Sequence, residues 1–409
     1  MSSSESTMSA ASTARLTVFL CFLASFCEGI DLQAAGLAAA GIRAQYHPDP
    51  QLLSYFFSAS NVGLFFGALI GGRLGDWLGR KHVLVAAVAV FGVCSLLTTL
   101  AGSIDMLTLA RLLTGLGLGG ALPNVLSIGS ENAPANRRSA NVTVIYAGMP
   151  LGGAFASVIS LLISAAQWRL FFIAGGVVPL LVAPAIMFWL PESLAFSRLK
   201  SLVSQSHSPR GSLFAFIEEG RLARTLLLWV SFLLALLTLY LLLNWLPTLL
   251  AGNGLAKSEV AIGMISFNVG GGLAALYIGT HLETQLRHWG VLSVFVCLPL
   301  LLLWLASGPQ GVTLVLGVVF GLGVAVVGAQ AILYAFAPLC YPTRTRGTGV
   351  GFAVAMGRIG SIIGPLIGGI LVGSGRSSSQ VLSGILPIVV IGSLCAILLA
   401  WRSPPQQSD

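Results

Sequence analysis

The chain has 409 residues, of which 56% are hydrophobic types and only 8% are charged, with a formal net charge of +8. Soluble domains carry about 25% charged residues, so a surface this poor in charge excludes a soluble enzyme, a nucleic-acid binder and a disordered chain. In so apolar a sequence the positive excess reads as loop lysines and arginines that orient membrane helices.

A transmembrane helix takes about 20 residues. The apolar runs place twelve of them, near 15–39, 52–72, 83–101, 107–129, 139–164, 170–190, 224–250, 259–279, 290–307, 311–337, 347–373 and 381–401. Continuous runs of this length exclude a membrane barrel, whose strands alternate over ~10 residues. Met1 to Ala14 is serine-rich and polar and reads as a disordered cytoplasmic tail. The run after Arg15 looks like a secretion signal, but it is too long and contains Glu28 and Asp31, so it is kept as a helix. The domain reading is an N-terminal tail over 1–14, a six-helix bundle over 15–190, a cytoplasmic linker over 191–223, a second six-helix bundle over 224–401 and a tail over 402–409. The linker is marked by Pro191, Glu192, Arg198, Lys200, His207, Pro209, Arg210, Glu218, Glu219 and Arg221.

Counting Lys and Arg orients the chain. With the N-terminus in the cytoplasm, fifteen fall on cytoplasmic segments and four outside, namely Arg43, Arg169, Lys257 and Arg376, while Arg111 and Arg358 lie inside spans. That bias places both termini in the cytoplasm. Cys21, Cys27, Cys94, Cys297, Cys340 and Cys395 form no C-x-x-C pair and read as small hydrophobes. The five histidines fall in or beside predicted loops and give no buried cluster for a metal. No phosphate-binding G-x-x-x-x-G-K-[ST] loop exists. No metal, no cofactor and no enzymatic site are expected.

The halves repeat weakly. Gly72, Asp76 and Arg80 are matched by Gly279, Glu283 and Arg287, each 207 positions on. Gly115 and Gly117 are matched by Gly321 and Gly323 at 206, and Pro134 and Arg138 by Pro342 and Arg346 at 208. Two parallel six-helix repeats about a central pathway are the architecture of one large transporter class.

At these residues the chain resembles the major facilitator superfamily. Gly72-Arg73-Leu74-Gly75-Asp76-Trp77-Leu78-Gly79-Arg80-Lys81 is similar to its loop signature, with Trp77 where Arg is usual, and Arg111 to Gly119 resembles its fourth-helix pattern R-x-x-x-G-x-G-x-G. Glu28-Gly29-Ile30-Asp31 resembles the D-G-x-D signature of the aromatic acid/proton symporters, with Glu for the first Asp. The Leu32-Gln33-Ala34-Ala35-Gly36 that follows is similar to bacterial 3-(3-hydroxyphenyl)propionate transporters, as are Asn244-Trp245-Leu246-Pro247 and the segment Tyr341 to Gly349. The resemblance implies a monomeric, proton-coupled importer of a small aromatic carboxylate in the bacterial inner membrane, with lipid and no nucleic acid as its surroundings. A drug or aromatic-compound exporter is the first rival: Gly148-Met149-Pro150-Leu151-Gly152-Gly153 partly resembles an antiporter motif, and Gly364-Pro365 occurs in the other half. A transporter-like ligand sensor is the second; only about eight residues follow Trp401, which does not favour it.

The charged residues inside spans carry the chemistry. Glu28 and Asp31 share one helix face, and adjacent carboxylates exchange protons as a coupled unit, so they are read either as the proton carrier or as a static counter-charge. Asp31 lies 16 residues beyond Arg15, about 24 Å along a helix. Arg111 enters the fourth span from the other side at a matching depth, and Gly115, Gly117, Gly119 and Gly120 would let those two backbones approach. Arg111 therefore either pairs with Asp31 or snorkels outward. Arg358 lies 12 residues beyond Arg346, about 18 Å deep, and the repeat position of Arg111 in that half is Gly317. Its guanidinium either holds the substrate carboxylate or pairs with Glu28. Tyr146, Asn244, Tyr240, Asn268, Gln330 and Tyr334 are candidates for polar contacts to the ring, against helix-to-helix bonding. By resemblance, Gly72, Asp76, Gly79, Arg80 and Lys81 form a cytoplasmic latch, with Glu131 as a partner for Arg80, against a solvated basic loop.

Overall fold

The computed structural model describes residues 2–131, 138–192, 222–281, 287–308, 311–341 and 346–402, with side chains described over 14–129, 131, 141–192, 222–278, 290–308, 311–341 and 348–402. Most of the linker expectation, including Arg198, Lys200, His207, Pro209, Arg210, Glu218, Glu219 and Arg221, lies outside the described residues, as do Pro134, Arg137, Glu283, Pro342, Arg344 and the tail beyond Arg402. The side chains of Arg138, Arg287 and Arg346 are likewise outside them.

Among the described residues the chain is all helix, as membrane-spanning backbone must satisfy its own polar groups. The elements are α1 (Ser2–Tyr46), α2 (Pro50–Leu78), α3 (Arg80–Thr98), α4 (Ile104–Glu131), α5 (Arg138–Leu162), α6 (Arg169–Trp189), α7 (Leu222–Gly252), α8 (Lys257–His281), α9 (Arg287–Ala306), α10 (Val312–Phe336), α11 (Arg346–Gly373) and α12 (Ser378–Arg402). Short 3-10 turns at Ala165–Gln167 and Ala337–Cys340 precede α6 and follow α10. Eleven of these helices are long and apolar enough to cross a membrane, and Gly290–Ala306 in α9 is a shorter apolar helix.

Each expected span finds a helix, but the helices outrun the spans. α1 begins at Ser2, so the serine-rich segment expected to be disordered is helical, and only the part from Ala14 is apolar enough to span. The cause is local: no Gly or Pro occurs before Gly29 to stop it. α2 likewise runs on to Leu78, so most of the signature expected as a loop is helix end. The reversal narrows to Gly79, at φ 99, between Gly75 whose carbonyl it caps and α3. A side chain is strained at such a φ and glycine is not.

The chain divides into two compact units, Met1–Pro48 with Tyr55–Ser206 and Asp49–Ser54 with His207–Asp409. Lipid and side chains are equally apolar, so packing in such a unit depends on close backbone approach. In the first unit α1 lies on α5: a Cβ on Gly29 would fall on the Met149 carbonyl, and one on Gly152 on the Phe26 carbonyl. Phe91, Leu118, Ile128, Ile145 and Ile186 fill the core between α3, α4, α5 and α6. In the second unit Gly360 and Gly364 of α11 meet the carbonyls of Leu233 and Leu237 on α7. The indole of Trp245 lies against Gly368 and donates to the Pro365 carbonyl at 2.9 Å.

The glycines also correct the repeat register. Gly115 and Gly119 of α4 face α2, at Ser60 and Leu64, whereas Gly117 faces α3 at Phe91 and Ala87. In the second half Gly323 faces Phe267 of α8 and Gly321 faces Leu301 of α9. Gly63 of α2 meets Leu112 and Gly270 of α8 meets Phe320, 208 positions on, so the packing equivalent of Gly115 is Gly323 and not Gly321 at 206. Two residues turn a helix by about 200°, which presents the opposite face, and a count of identical letters is blind to that.

Gly152→Val should force α1 and α5 apart, with a loss of roughly 3 kcal/mol, the upper end for overpacking. Gly102→Ala, where a Cβ meets nothing within 4 Å, should be neutral. Thermal unfolding of the two purified variants against wild type reads this; equal midpoints for all three would contradict the close-approach account.

Candidate functional site

α1 carries Glu28 and Asp31 one turn apart, and both are sealed inside the first unit, at 2% and 0% exposure. The apolar neighbours on the same helix, Cys27, Ile30, Ala34 and Ala35, are buried with them. α4 brings Arg111, itself only 1% exposed. Its Nη1 donates to Asp31 Oδ1 at 2.8 Å and to Oδ2 at 2.7 Å, and Nη2 lies 3.5 Å from the Asp31 carbonyl. Of the two expectations for Arg111, the geometry is the pair and not outward snorkelling. The Phe172 ring on α6 lies 5.7 Å from the guanidinium carbon, adding cation–π contact. The glycines expected to bring α1 and α4 together do something else: Gly115 and Gly119 admit α2, and Gly117 admits α3.

Sequence reading missed a fourth member. Ser95 of α3 is fully buried, with its hydroxyl 3.3 Å from Asp31 Oδ1 and 3.1 Å from the Phe172 carbonyl. Its only signal was a polar residue within an apolar run. At the far end of the same unit Arg169 donates to the Thr99 carbonyl at 3.0 Å, to Gln45 at 2.9 Å and to the Tyr46 hydroxyl at 3.1 Å. That set joins α1, the α3–α4 turn and the start of α6, and Trp168 adds a bond to Gln45 at 3.0 Å.

In the second unit Arg358 of α11 is 8% exposed, and its Nη1 donates to the Tyr240 hydroxyl of α7 at 3.3 Å. Tyr334 of α10 stands edge-on to Phe232, with ring centroids 5.2 Å apart. Asn244 and Asn268 are buried, but each spends an amide N–H on its own helix, on the carbonyls of Tyr240 at 2.7 Å and Met264 at 2.8 Å. Gln330 is buried and Tyr146, on α5 of the first unit, is half-buried. The second unit thus brings Arg358 and Tyr240 together, while the two asparagines show helix bonding.

A third cluster lies where α2 ends and α3 begins. Arg80 pairs with Glu131 at the end of α4 and, at 3.6 Å, with Asp76, whose side chain is 69% exposed. Gly72 has open space around it, and Trp77 is exposed. Glu192, expected only as a linker residue, accepts from the Lys81 backbone N–H at 3.0 Å and lies 3.4 Å from His82 Nδ1. The residue before α3 is Gly79, which has no side chain to cap it, so Glu192 supplies a carboxylate at that helix N-terminus from across the chain.

Among the described residues, twelve apolar helices in two units, with arginines sealed inside them, are those of a multi-pass membrane protein. The chain belongs to the Major Facilitator Superfamily, whose profile matches residues 21–338. It is 40% identical over 401 residues to the 3-(3-hydroxy-phenyl)propionate transporter of Escherichia coli (strain K12), covering 96% of both chains. It is 34% identical over 409 residues to the 4-hydroxybenzoate transporter PcaK of Pseudomonas putida, covering 93% of this chain and 91% of that one. In fold it matches the inward-open structure of the xylose transporter XylE from E. coli, with a TM-score of 0.72 at 15% identity and 96% coverage of both.

Removing one member of a buried pair costs about 3–5 kcal/mol, because the other charge stays buried alone, whereas removing both is far less costly. Arg111→Met should therefore lower the unfolding midpoint sharply, and Arg111→Met with Asp31→Asn should recover most of the loss. Additive losses in the double variant would mean that the two side chains do not act as a pair.

Proposed function

We propose that the protein imports an aromatic carboxylate together with protons by alternating access across the bacterial inner membrane, as a monomer with both termini in the cytoplasm. The substrate proposed is 3-(3-hydroxyphenyl)propionate or a related hydroxylated aromatic acid. The observation that carries the reading is the 40% identity, sustained over 96% of both chains, to a transporter named for that acid. Identity of that extent reaches both units, and the PcaK relative is named for a second hydroxylated aromatic acid.

The residues divide the task. Asp31 is the proposed proton site, with Glu28 beside it and Arg111 as its partner. Arg358 is the proposed ligand of the substrate carboxylate, with Tyr240 holding the guanidinium from one side. Tyr146, Asn244, Asn268, Gln330 and Tyr334 are proposed contacts to the ring. Asp76, Gly79, Arg80, Lys81 and Glu131, with Gly72, are the proposed cytoplasmic latch. The energetics favour coupling: drawing an anion into a negative interior costs about 2.3 kcal/mol per charge per 100 mV, and one accompanying proton cancels that cost.

Uptake of radiolabelled 3-(3-hydroxyphenyl)propionate into vesicles with an inside-alkaline pH gradient is the direct test. Wild type should accumulate it and lose accumulation when a protonophore collapses the gradient. Asp31→Asn should bind the acid but fail to accumulate it. Outward movement of the acid driven by the same gradient would select the exporter.

Arg358 has a sharper test. Lysine keeps the charge but lacks the planar fork, so Arg358→Lys should bind the acid almost as poorly as Arg358→Ala. A charge-assisted bond is worth roughly 1.5–3 kcal/mol, about 10- to 150-fold in affinity at 1.4 kcal/mol per tenfold. The substrate amide should bind wild type poorly and lose little more in either variant. Equal losses for acid and amide, measured by titration calorimetry, would remove Arg358 from carboxylate binding.

A further inference from the structure

We propose that Ser95 is a positioning residue for the proton on Asp31, accepting the carboxyl O–H when Asp31 is neutral and turning its own O–H to the carbonyl of Phe172. The inference rests on the reading of Asp31 as the proton site.

The geometry presents one donor and two acceptors. The Ser95 oxygen lies 3.3 Å from Asp31 Oδ1 and 3.1 Å from the Phe172 carbonyl. A hydroxyl has a single proton and two lone pairs, so it serves one of those acceptors at a time. With Asp31 ionised, Oδ1 accepts from Ser95 as well as from Arg111. With Asp31 neutral, Oδ1 carries the new O–H bond and needs an acceptor. Ser95 becomes that acceptor by rotating about its Cβ–Oγ bond, because Phe172 already offers its hydrogen another place. Oδ2 keeps its bond from Arg111 Nη1 at 2.7 Å. One proton enters Oδ1, the Ser95 hydroxyl rotates so that its bond with Oδ1 reverses direction, and Arg111 Nη1, shared between the two oxygens, leans to Oδ2.

The surroundings leave this task to Ser95. Among the described residues, Arg111 and Ser95 are the side chains that bond the Asp31 carboxylate, and a guanidinium only donates. The other titratable groups on the packed helices, among the described side chains, are Arg15, Cys21, Cys27, Glu28, Arg43 and Tyr46 on α1, Arg80, Lys81, His82 and Cys94 on α3, Asp105 and Glu131 on α4, Tyr146 on α5 and Arg169 on α6. Arg169 is engaged with Thr99, Gln45 and Tyr46. α6 also makes room for the hydroxyl: a Cβ on Gly175 would lie 3.0 Å from Ser95 Oγ and 3.6 Å from Asp31 Oδ1.

Loss of the hydroxyl is unequal between the two states. The ionised carboxylate keeps both Arg111 bonds, while the neutral acid loses the acceptor for its proton, and an unsatisfied buried donor is the costlier defect. More acid is then needed to load the site. In Ser95→Ala the pH of half-maximal gradient-driven uptake should fall by about one unit, with the rate recovering at lower pH. Ser95→Thr, which keeps a hydroxyl, should hold the wild-type profile. Uptake of radiolabelled 3-(3-hydroxyphenyl)propionate is measured from pH 5 to 8 (about the range where vesicles stay intact and side chains titrate) and scaled to protein in the membrane. An unchanged profile in Ser95→Ala overturns the inference, as does a loss of equal size at every pH or an equal shift in Ala and Thr. Asp31→Asn is run alongside: if it still accumulates substrate, the proton-site reading itself falls, whatever Ser95 does.

Discussion

A carboxylate and a guanidinium taken out of water together govern the first unit. Either ion alone in that interior would be prohibitive, so Asp31 and Arg111 hold each other in place, and with them the relative position of α1 and α4. Ser95 on α3 and Phe172 on α6 complete the set. Four of the unit's helices are thus keyed to one pair of charges. The price of the pair is offset by packing rather than by polarity: α1 against α5, and α2 and α3 against α4, meet at glycines with no side chain between the backbones.

The second unit repeats the helices but not the charges. With the register corrected through Gly115 and Gly323, the position matching Arg111 is Val319, which is apolar and buried. The arginine of this unit stands instead on α11, bonded to a neutral phenol on α7. The 3.3 Å bond from Arg358 to the Tyr240 hydroxyl is a weaker contact than the 2.7 and 2.8 Å bonds from Arg111 to a carboxylate. Charge-assisted bonds are about twice as strong as neutral ones. The two halves are therefore built alike for packing and unlike for chemistry, which is the asymmetry that the proposed division into a proton site and an anion site would need.

The sequence made the count and approximate place of the helices legible because lipid imposes a length and a composition on each. It did not show where helices end, since hydropathy marks the apolar slab and not the last hydrogen-bonded turn. Leu78 and Tyr46 belong to helices that outrun their apolar runs. Depth made Arg111 with Asp31 one of two readings, beside outward snorkelling, and the structure has the pair. Glu192 and Ser95 were not legible. Glu192 acts on a helix N-terminus more than a hundred residues earlier in the chain, and Ser95 looks in sequence like any small polar residue that bonds back along its own helix, as Thr98 does to Cys94.

The glycine-rich stretch of α4 shows why a motif can be read correctly and its purpose wrongly. Small residues at alternate positions do announce close approach. At about 100° per residue, however, positions two apart point to nearly opposite sides, so one stretch cannot serve one neighbour. Gly115 and Gly119, four apart, share a side and take α2, while Gly117 takes α3. None of the three is needed between α4 and α1, because there the long side chain of Arg111 spans the gap to Asp31. The helix that must carry a charge across to α1 is kept at arm's length from it, and pressed tightly against the two that need only support it.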